Sequence, residues 1–452
     1  MNLCTSRSIG DRTMPFRVKF LALSAIIILT MLIAACTTRT SDDAESVSDD
    51  SVAAEEVAAD EPAEAEATEE PTATEEPAPE PTEEPATEAA DDISEAIAQE
   101  EEDRLPYWHR WWEDTDFTNT TISLDEIQSG GVPPDGIPPI DEPKFVEFDE
   151  ADEWLGDQEP VISMVVDDEA RAYPLQIMTW HEIVNDEFGD RAIAVTFCPL
   201  CNAAIAFDRD VGDHGVMRFG VSGLLRNSDL IMWDDKTESW WQQMTGEAIV
   251  GELAGEQLTL LPSIMVSYAE FKETYPDAVV LSRDTGHERT YGNNPYAGYD
   301  SIDSSPFLFD GEHDERNRPM ERVLTLEIGD EPRAYPFSLL EDHPVVHDEV
   351  GGEPVVVFWS PGATSALDET SIAESRDVGS AGAFSPILDG TELSFEHVDG
   401  EIRDEQTGST WNVLGHAIDG ELEGERLDEI LNGTHFWFAW AAFKPDTTVW
   451  EP

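Results

Sequence analysis

The sequence predicts a β-rich α+β fold: two tandem copies of one mostly β unit, preceded by a disordered acidic tether. Three observations lead there. Motifs found between positions 171 and 272 return in the same order after position 320. Short β-branched runs end in Asp, Gly and Pro turns, as strands do. Helix signals are few and brief. With 40% hydrophobic residues and 13 Trp among 452 residues, the chain can build a core and is not disordered throughout.

The repeat is specific. Arg171-Ala172-Tyr173-Pro174 recurs as Arg333-Ala334-Tyr335-Pro336, and His181-Glu-Ile-Val-Asn-Asp186 as His343-Pro-Val-Val-His-Asp348. Gly189 meets Gly351, and Phe197-Cys198-Pro199 meets Trp359-Ser360-Pro361, all at one offset of 162. Further on, Thr237-Glu-Ser-Trp-Trp241 matches Thr407-Gly-Ser-Thr-Trp411, and Gly246 to Gly251 matches Gly415 to Gly420. Tyr268-Ala-Glu-Phe-Lys272 matches Trp440-Ala-Ala-Phe-Lys444. Self-similarity in a fixed order marks a duplicated unit. The copies are placed at 150–310 and 311–452, with repeating cores of roughly 150–285 and 315–450.

Residues 1–36 read as a lipoprotein signal peptide. Arg17 and Lys19 give the positive start, residues 20–32 the apolar stretch, and Leu32-Ile33-Ala34-Ala35-Cys36 a lipobox. Such an ending resembles the bacterial signal cut before its Cys, and Cys36 is the expected lipidation site. An uncleaved transmembrane anchor is the other reading, because about 18 apolar residues can span a bilayer. Both put the bulk of the chain on the extracytoplasmic side of the cell membrane. Residues 37–104 are the tether, built of Glu, Ala, Pro, Thr and Asp, with 26 acids against one Arg over 41–104. It has no apolar face to bury, and its like charges extend it. Residues 105–149 form a strap leading into the body, packed down by Tyr107, Trp108, Trp111 and Trp112.

Strands are expected at 161–166, 192–197, 203–207, 230–233 and 278–281 of the first copy, and at 355–359 of the second. Helices are expected at 175–184 and 268–274. No Gly-rich phosphate loop, dinucleotide fingerprint or Gly-x-Ser-x-Gly elbow occurs.

Charge narrows the partners. Asp and Glu number 98 against 25 Lys and Arg, a net of −73. A surface this acidic repels polyphosphate, which excludes nucleic acid as an expected partner. Membrane contact is expected through the lipid anchor rather than the body's own surface. An extracytoplasmic protein or a small molecule remains as the partner class.

Four cysteines are too few for a disulfide framework. Cys198-Pro-Leu-Cys201 follows an apolar strand, so both sulfurs sit on a strand-end turn. That spacing puts the Cα atoms in the roughly 4.4–6.8 Å window of a disulfide. Such a pair can cycle between dithiol and disulfide, hold a soft metal ion, or serve structure alone. The second copy has Ser360 and Ala363 in those places, so the unit does not need sulfur to fold. Thiol redox requires no cofactor. A metal ion would recruit His181 as third ligand beside Cys198 and Cys201. As an imidazolium, His181 would stabilise a thiolate; as the counterpart of His343, it equally suits a hydrogen-bonded core. Glu182 gives way to Pro344 in the copy and is a candidate proton acceptor. Trp180, beside His181, and Asn202, beside Cys201, are candidate binding residues. Ser222, Ser228 and Asp229 are expected on a polar loop, as a second wall of the site or a plain turn. Trp241 lines a pocket or joins the core.

Tyr173-Pro174, Trp180-His-Glu-Ile-Val-Asn-Asp186, Thr196-Phe-Cys-Pro-Leu-Cys-Asn202, Phe219-Gly-Val-Ser-Gly223, Asn227-Ser-Asp229, Thr237-Glu-Ser-Trp-Trp241 and His435-Phe-Trp-Phe-Ala-Trp440 form a set. Over about 105–452 it resembles the domain-of-unknown-function 3179 family of bacteria and archaea. That family has no established reaction. Some of its members are selenoproteins, which implies a redox role for Cys198 and Cys201. The expectation is therefore thiol-based redox on a lipid-anchored protein. Its rival is a non-enzymatic protein that binds a metal ion or an envelope ligand.

Overall fold

The computed structural model describes residues 107–452. The expected signal peptide with Cys36 and the expected tether at 37–104 lie outside the described residues.

The first copy is organised in three sheets. One sets Ile264–Ser267, Pro160–Val166, Glu169–Pro174, Val279–Leu281 and Phe145–Val146 side by side. The next runs Leu260–Leu261, Ala203–Asp208, Arg191–Cys198, Ile183–Phe188. The third runs Ile127–Ser129, Phe219–Arg226, Asp229–Asp234, Trp240–Gln242, Ala248–Val250.

The second copy repeats these orders. Asn432–Phe436, Arg322–Ile328, Glu331–Pro336 and Thr448–Val449 form the first sheet. Val345–Val350, Glu353–Ser360 and Ser380–Phe384 form the next. Phe395–Val398, Glu401–Asp404, Thr410–Trp411 and Ala417–Asp419 form the third. Each first sheet contains one parallel pairing, Val279–Leu281 on Glu169–Pro174 and Thr448–Val449 on Glu331–Pro336. Four strands of each copy begin and end 162 positions apart.

The repeated motifs carry repeated bonds. Arg171 and Tyr173 both donate to Asp186, and Arg333 and Tyr335 both donate to Asp348. The Arg171 guanidinium also lies over the Phe145 and Phe188 rings, at 4.7 and 4.0 Å, so its desolvation is offset on several sides. The Asp234 carboxylate accepts from Thr237 and from Trp241 Nε1 at 3.0 Å. Asp404 does the same with Thr407 and with Trp411 Nε1 at 3.1 Å.

The copies share their core. The largest cluster of buried apolar residues joins Val184, Val195 and Phe207 to Phe436 and Trp437. A second joins Tyr268 and Phe271 to Phe384 and Trp411. In the strap, Trp108 and Trp112 are buried against Trp240, with ring centroids 5.2 and 5.4 Å away. Each such pair adds about 0.5–1.5 kcal/mol beyond area burial. Trp111 is 42% exposed.

Two local expectations are corrected. The helix expected at 175–184 spans Leu175–His181, because Glu182 turns to φ 59° and Ile183 enters a strand against Thr196. β-Branched Ile183 and Val184 gain more there than on a helix. Ser222 and Gly223 lie within the strand Phe219–Arg226, not on a loop. The loop is only the hairpin tip at Asn227 and Ser228, whose φ values of 50° and 67° make a type I′ turn.

Candidate functional site

The strand Arg191–Cys198 delivers Cys198, and the turn closes with Cys201 N–H donating to Cys198 O at 3.2 Å. Asn202, at φ 49°, redirects the chain into Ala203–Asp208. Asn and Asp tolerate this left-handed geometry best among side-chain-bearing residues. Both cysteines are free thiols, 2% and 0% exposed. Their hydrogens share one acceptor, Ser228 O, with Sγ distances of 3.8 Å from Cys198 and 3.5 Å from Cys201. The hairpin tip therefore presents a carbonyl to the sulfurs. The next residue, Asp229, brings a carboxylate oxygen to a place where it and both Sγ atoms lie within 4.8 Å of one another.

Asp229 is fully buried. Its Oδ2 accepts from Gln242 Nε2 at 2.7 Å and from Met244 N at 2.9 Å, while Oδ1 has no partner. Burial pushes its carboxyl up to about 6. Glu182, at the end of the helix, is raised to about 8 by burial and by the Asp229 charge. Burial also raises both thiols. The Asp229 and Glu182 charges add to the rise at Cys198, and Cys198 itself adds to it at Cys201, which stands well above the usual range. Among the described residues, no Lys, Arg or His hydrogen-bonds or ion-pairs with any of these four acids. Burial therefore shifts each toward its protonated form; Asp229, at about 6, remains ionised at neutral pH, whereas Glu182 and the thiols keep their protons.

His181 does not join the sulfurs. Its Nδ1–H donates to Pro138 O at 2.7 Å, and its Nε2 accepts from Tyr291 OH at 2.6 Å. Burial lowers it to about 4, so the ring is neutral near pH 7. This overturns its expected roles as third metal ligand and thiolate-stabilising imidazolium, and Asp229 stands where His181 was placed. Trp180 Nε1 donates to Asn293 O. Asn202 lines a cavity of about 30 Å³ with Arg322 and Ser365. Ser222 Oγ donates to Ile231 O and accepts from Leu224 N, fixing an irregularity in the strand pairing. Trp241 is in the core on Asp234, and its twin Trp411 shows that bond to be structural. Of the residues expected to form the site, the structure gathers Cys198, Cys201, Glu182, Ser228 and Asp229.

An open cleft of about 550 Å³ lies beside this group, with Glu182, Leu200, Leu230, Tyr296 and Tyr299 in its wall. Leu200 sits between the two cysteines in the chain, and Tyr299 OH donates to its carbonyl at 3.0 Å. Gly223 is required at this wall: its φ is 76°, and a Cβ there would strike the Val132 carbonyl. Tyr296 and Tyr299 were missed in the sequence because they lie outside the repeat. Their signal is two aromatics in the polar stretch Asn294-Pro-Tyr-Ala-Gly-Tyr-Asp300. The second copy lacks the group, with Ser360 for Cys198, Pro344 for Glu182, and exposed Glu401 closing the matching hairpin.

The fold and site define a duplicated β-rich protein in which one copy alone holds a buried dithiol–carboxylate group. The family described as "Protein of unknown function (DUF3179)" matches residues 134–447. The chain belongs to that family. No curated protein and no solved structure matches it.

Proposed function

We propose that Cys198 and Cys201 exchange between dithiol and disulfide, on a protein tethered outside the cytoplasm by a lipid on Cys36. The observation that carries the redox part is two free thiols on one turn, sharing one acceptor beside the unpartnered Oδ1 of Asp229. The basic start, apolar stretch and small residues before Cys36 support the tether.

Raised thiols need a proton acceptor before they attack. Asp229, raised to about 6, is ionised at neutral pH yet basic enough to take that proton. Cys198 is the attacking thiol, being the less buried of the two and the less strongly raised. Its thiolate bonds to one sulfur of a partner disulfide, and the other partner sulfur leaves and takes a proton. Cys201, deprotonated in turn, attacks Cys198 Sγ and expels the second partner sulfur. One disulfide forms here as one breaks in the partner, and two electrons and two protons pass to it.

A redox titration read by alkylation tests the proposal. The two thiols should disappear together, at a potential between about −120 and −270 mV. A potential below about −300 mV would mark a stable structural disulfide instead.

The same convergence favours a second reading, a soft divalent cation held by Cys198, Cys201 and Asp229. Three ligands would leave a fourth position open. Binding would expel the thiol protons that burial retains. Stoichiometric zinc in the purified protein, blocking alkylation, would favour this reading over exchange.

A further inference from the structure

We infer that the cleft beside the Cys198–Cys201 turn receives a small, uncharged, largely apolar disulfide or dithiol. The ligand's role as exchange partner rests on the dithiol reading, which this inference deepens. Four observations carry it.

The cleft has the size of a small-molecule site, about 550 Å³, within the roughly 300–1,000 Å³ usual for such sites. Its wall is apolar: Ile137, Val221, Leu225, Leu230 and Phe307 face it, and Glu182 is the only charged residue type in the lining. No Lys, Arg or His lines it to recognise a carboxylate or phosphate, and the chain's net charge of −73 repels anions. Anionic thiols such as glutathione are therefore poor ligands.

Position supplies the third observation. Leu200 lines the cleft and belongs to the cysteine turn itself, while neither cysteine is in the lining. The thiols are 2% and 0% exposed. A disulfide on the surface of a folded protein cannot reach them, whereas a small molecule that displaces Leu200 can. The fourth is polarity at one point. Glu182, carrying a proton near pH 7, offers an O–H donor for a single acceptor such as an amide oxygen.

The exchange is balanced in either direction. A ligand dithiol gives two electrons and two protons to the protein disulfide, and a ligand disulfide takes them from the dithiol.

Diamide is used first to oxidise the purified full-length protein, and mass spectrometry of its peptides follows the Cys198 and Cys201 thiols. The disulfide form is then reduced with dihydrolipoamide or with dihydrolipoate, which differ in having an uncharged amide or an anionic carboxylate. Dihydrolipoamide should act faster by about tenfold or more at low salt, the part due to the chain's net charge shrinking as salt rises. Phe307, 51% exposed in the cleft lining, can be changed without loss of core. Phe307→Glu should slow dihydrolipoamide several-fold, while Ile387→Glu, on the second copy, leaves the rate unchanged. Equal rates for the two reductants, or no effect of Phe307→Glu, would overturn the inference and leave the dithiol reading standing. Failure of diamide to link Cys198 to Cys201 would overturn that reading and this inference with it.

Discussion

Cys201 Sγ lies 3.5 Å from the Ser228 carbonyl oxygen, an acceptor that Cys198 shares. The sulfurs are thus held by a hairpin tip whose following residue is the nearby acid. The proton chemistry of the site should depend on that residue.

Replacing the acid tests this. Asp229→Asn should slow alkylation of Cys198 at pH 7 by about 10²-fold, the lower end for loss of a general base. In the wild type the rate should rise as pH passes about 6, where Asp229 ionises. That inflection should vanish in the variant. A rate that keeps it would assign the proton elsewhere.

Glu182 should make stability fall with rising pH. Its folded pKa, about 8, stands above the unfolded value, so the stabilisation is full below about pH 4.3 and is lost as pH climbs to 8. The unfolded chain releases this proton first, which favours unfolding across that window. Glu182→Gln should flatten the loss, giving a variant more stable than wild type at pH 9 by a few kcal/mol, on the order that linkage allows. Urea unfolding at pH 5 and pH 9 measures the difference.

The two ion pairs of the duplication should not be equal. Asp186 has a side chain 5% exposed and Asp348 one 14% exposed. Asp186→Ala removes the buried carboxylate that Arg171 and Tyr173 share, leaving Arg171 only the half-exposed Glu169 as ion pair, at a cost of about 3 kcal/mol, the lower end for a broken buried pair. Asp348→Ala should cost less. Chemical denaturation of both single variants decides the order.

Labelled fatty acid should enter the wild-type protein and not Cys36→Ser. Membrane-bound protein that keeps residues 1–35 intact would contradict the lipid anchor.

The fold was legible where chemistry repeated. Arg171, Tyr173 and Asp186 recur as Arg333, Tyr335 and Asp348 because the same buried bonds must be satisfied twice, and any other residue leaves a charge unpaired. The sulfur turn was legible for the opposite reason, since its counterpart Ser360 shows that folding does not need it. His181 misled because proximity in sequence is not proximity of side-chain atoms. The helix points its ring toward Pro138 and Tyr291, and the residue after it, at φ 59°, sets a carboxyl whose charge reaches Asp229 and Cys198. Asp229 lies 28 positions beyond Cys201, and only the register of the strand Phe219–Arg226 with its hairpin partner brings it back. Tyr296 and Tyr299 belong to no repeat and to no regular element, so periodicity had nothing to report about them.

Phe436 N–H donates to Cys201 O at 2.9 Å, and its neighbour Trp437 is buried in the same cluster as both cysteines. The sulfur-free copy thus holds the cysteine turn by a backbone bond and shared core. In effect the chain resembles a heterodimer fused into one polypeptide, with the sulfur-bearing half and the sulfur-free half made at fixed one-to-one ratio and sharing buried clusters. Severing the chain near position 311 would separate two partners whose effective concentration the fusion had fixed, and the site would then depend on how tightly the halves find each other again.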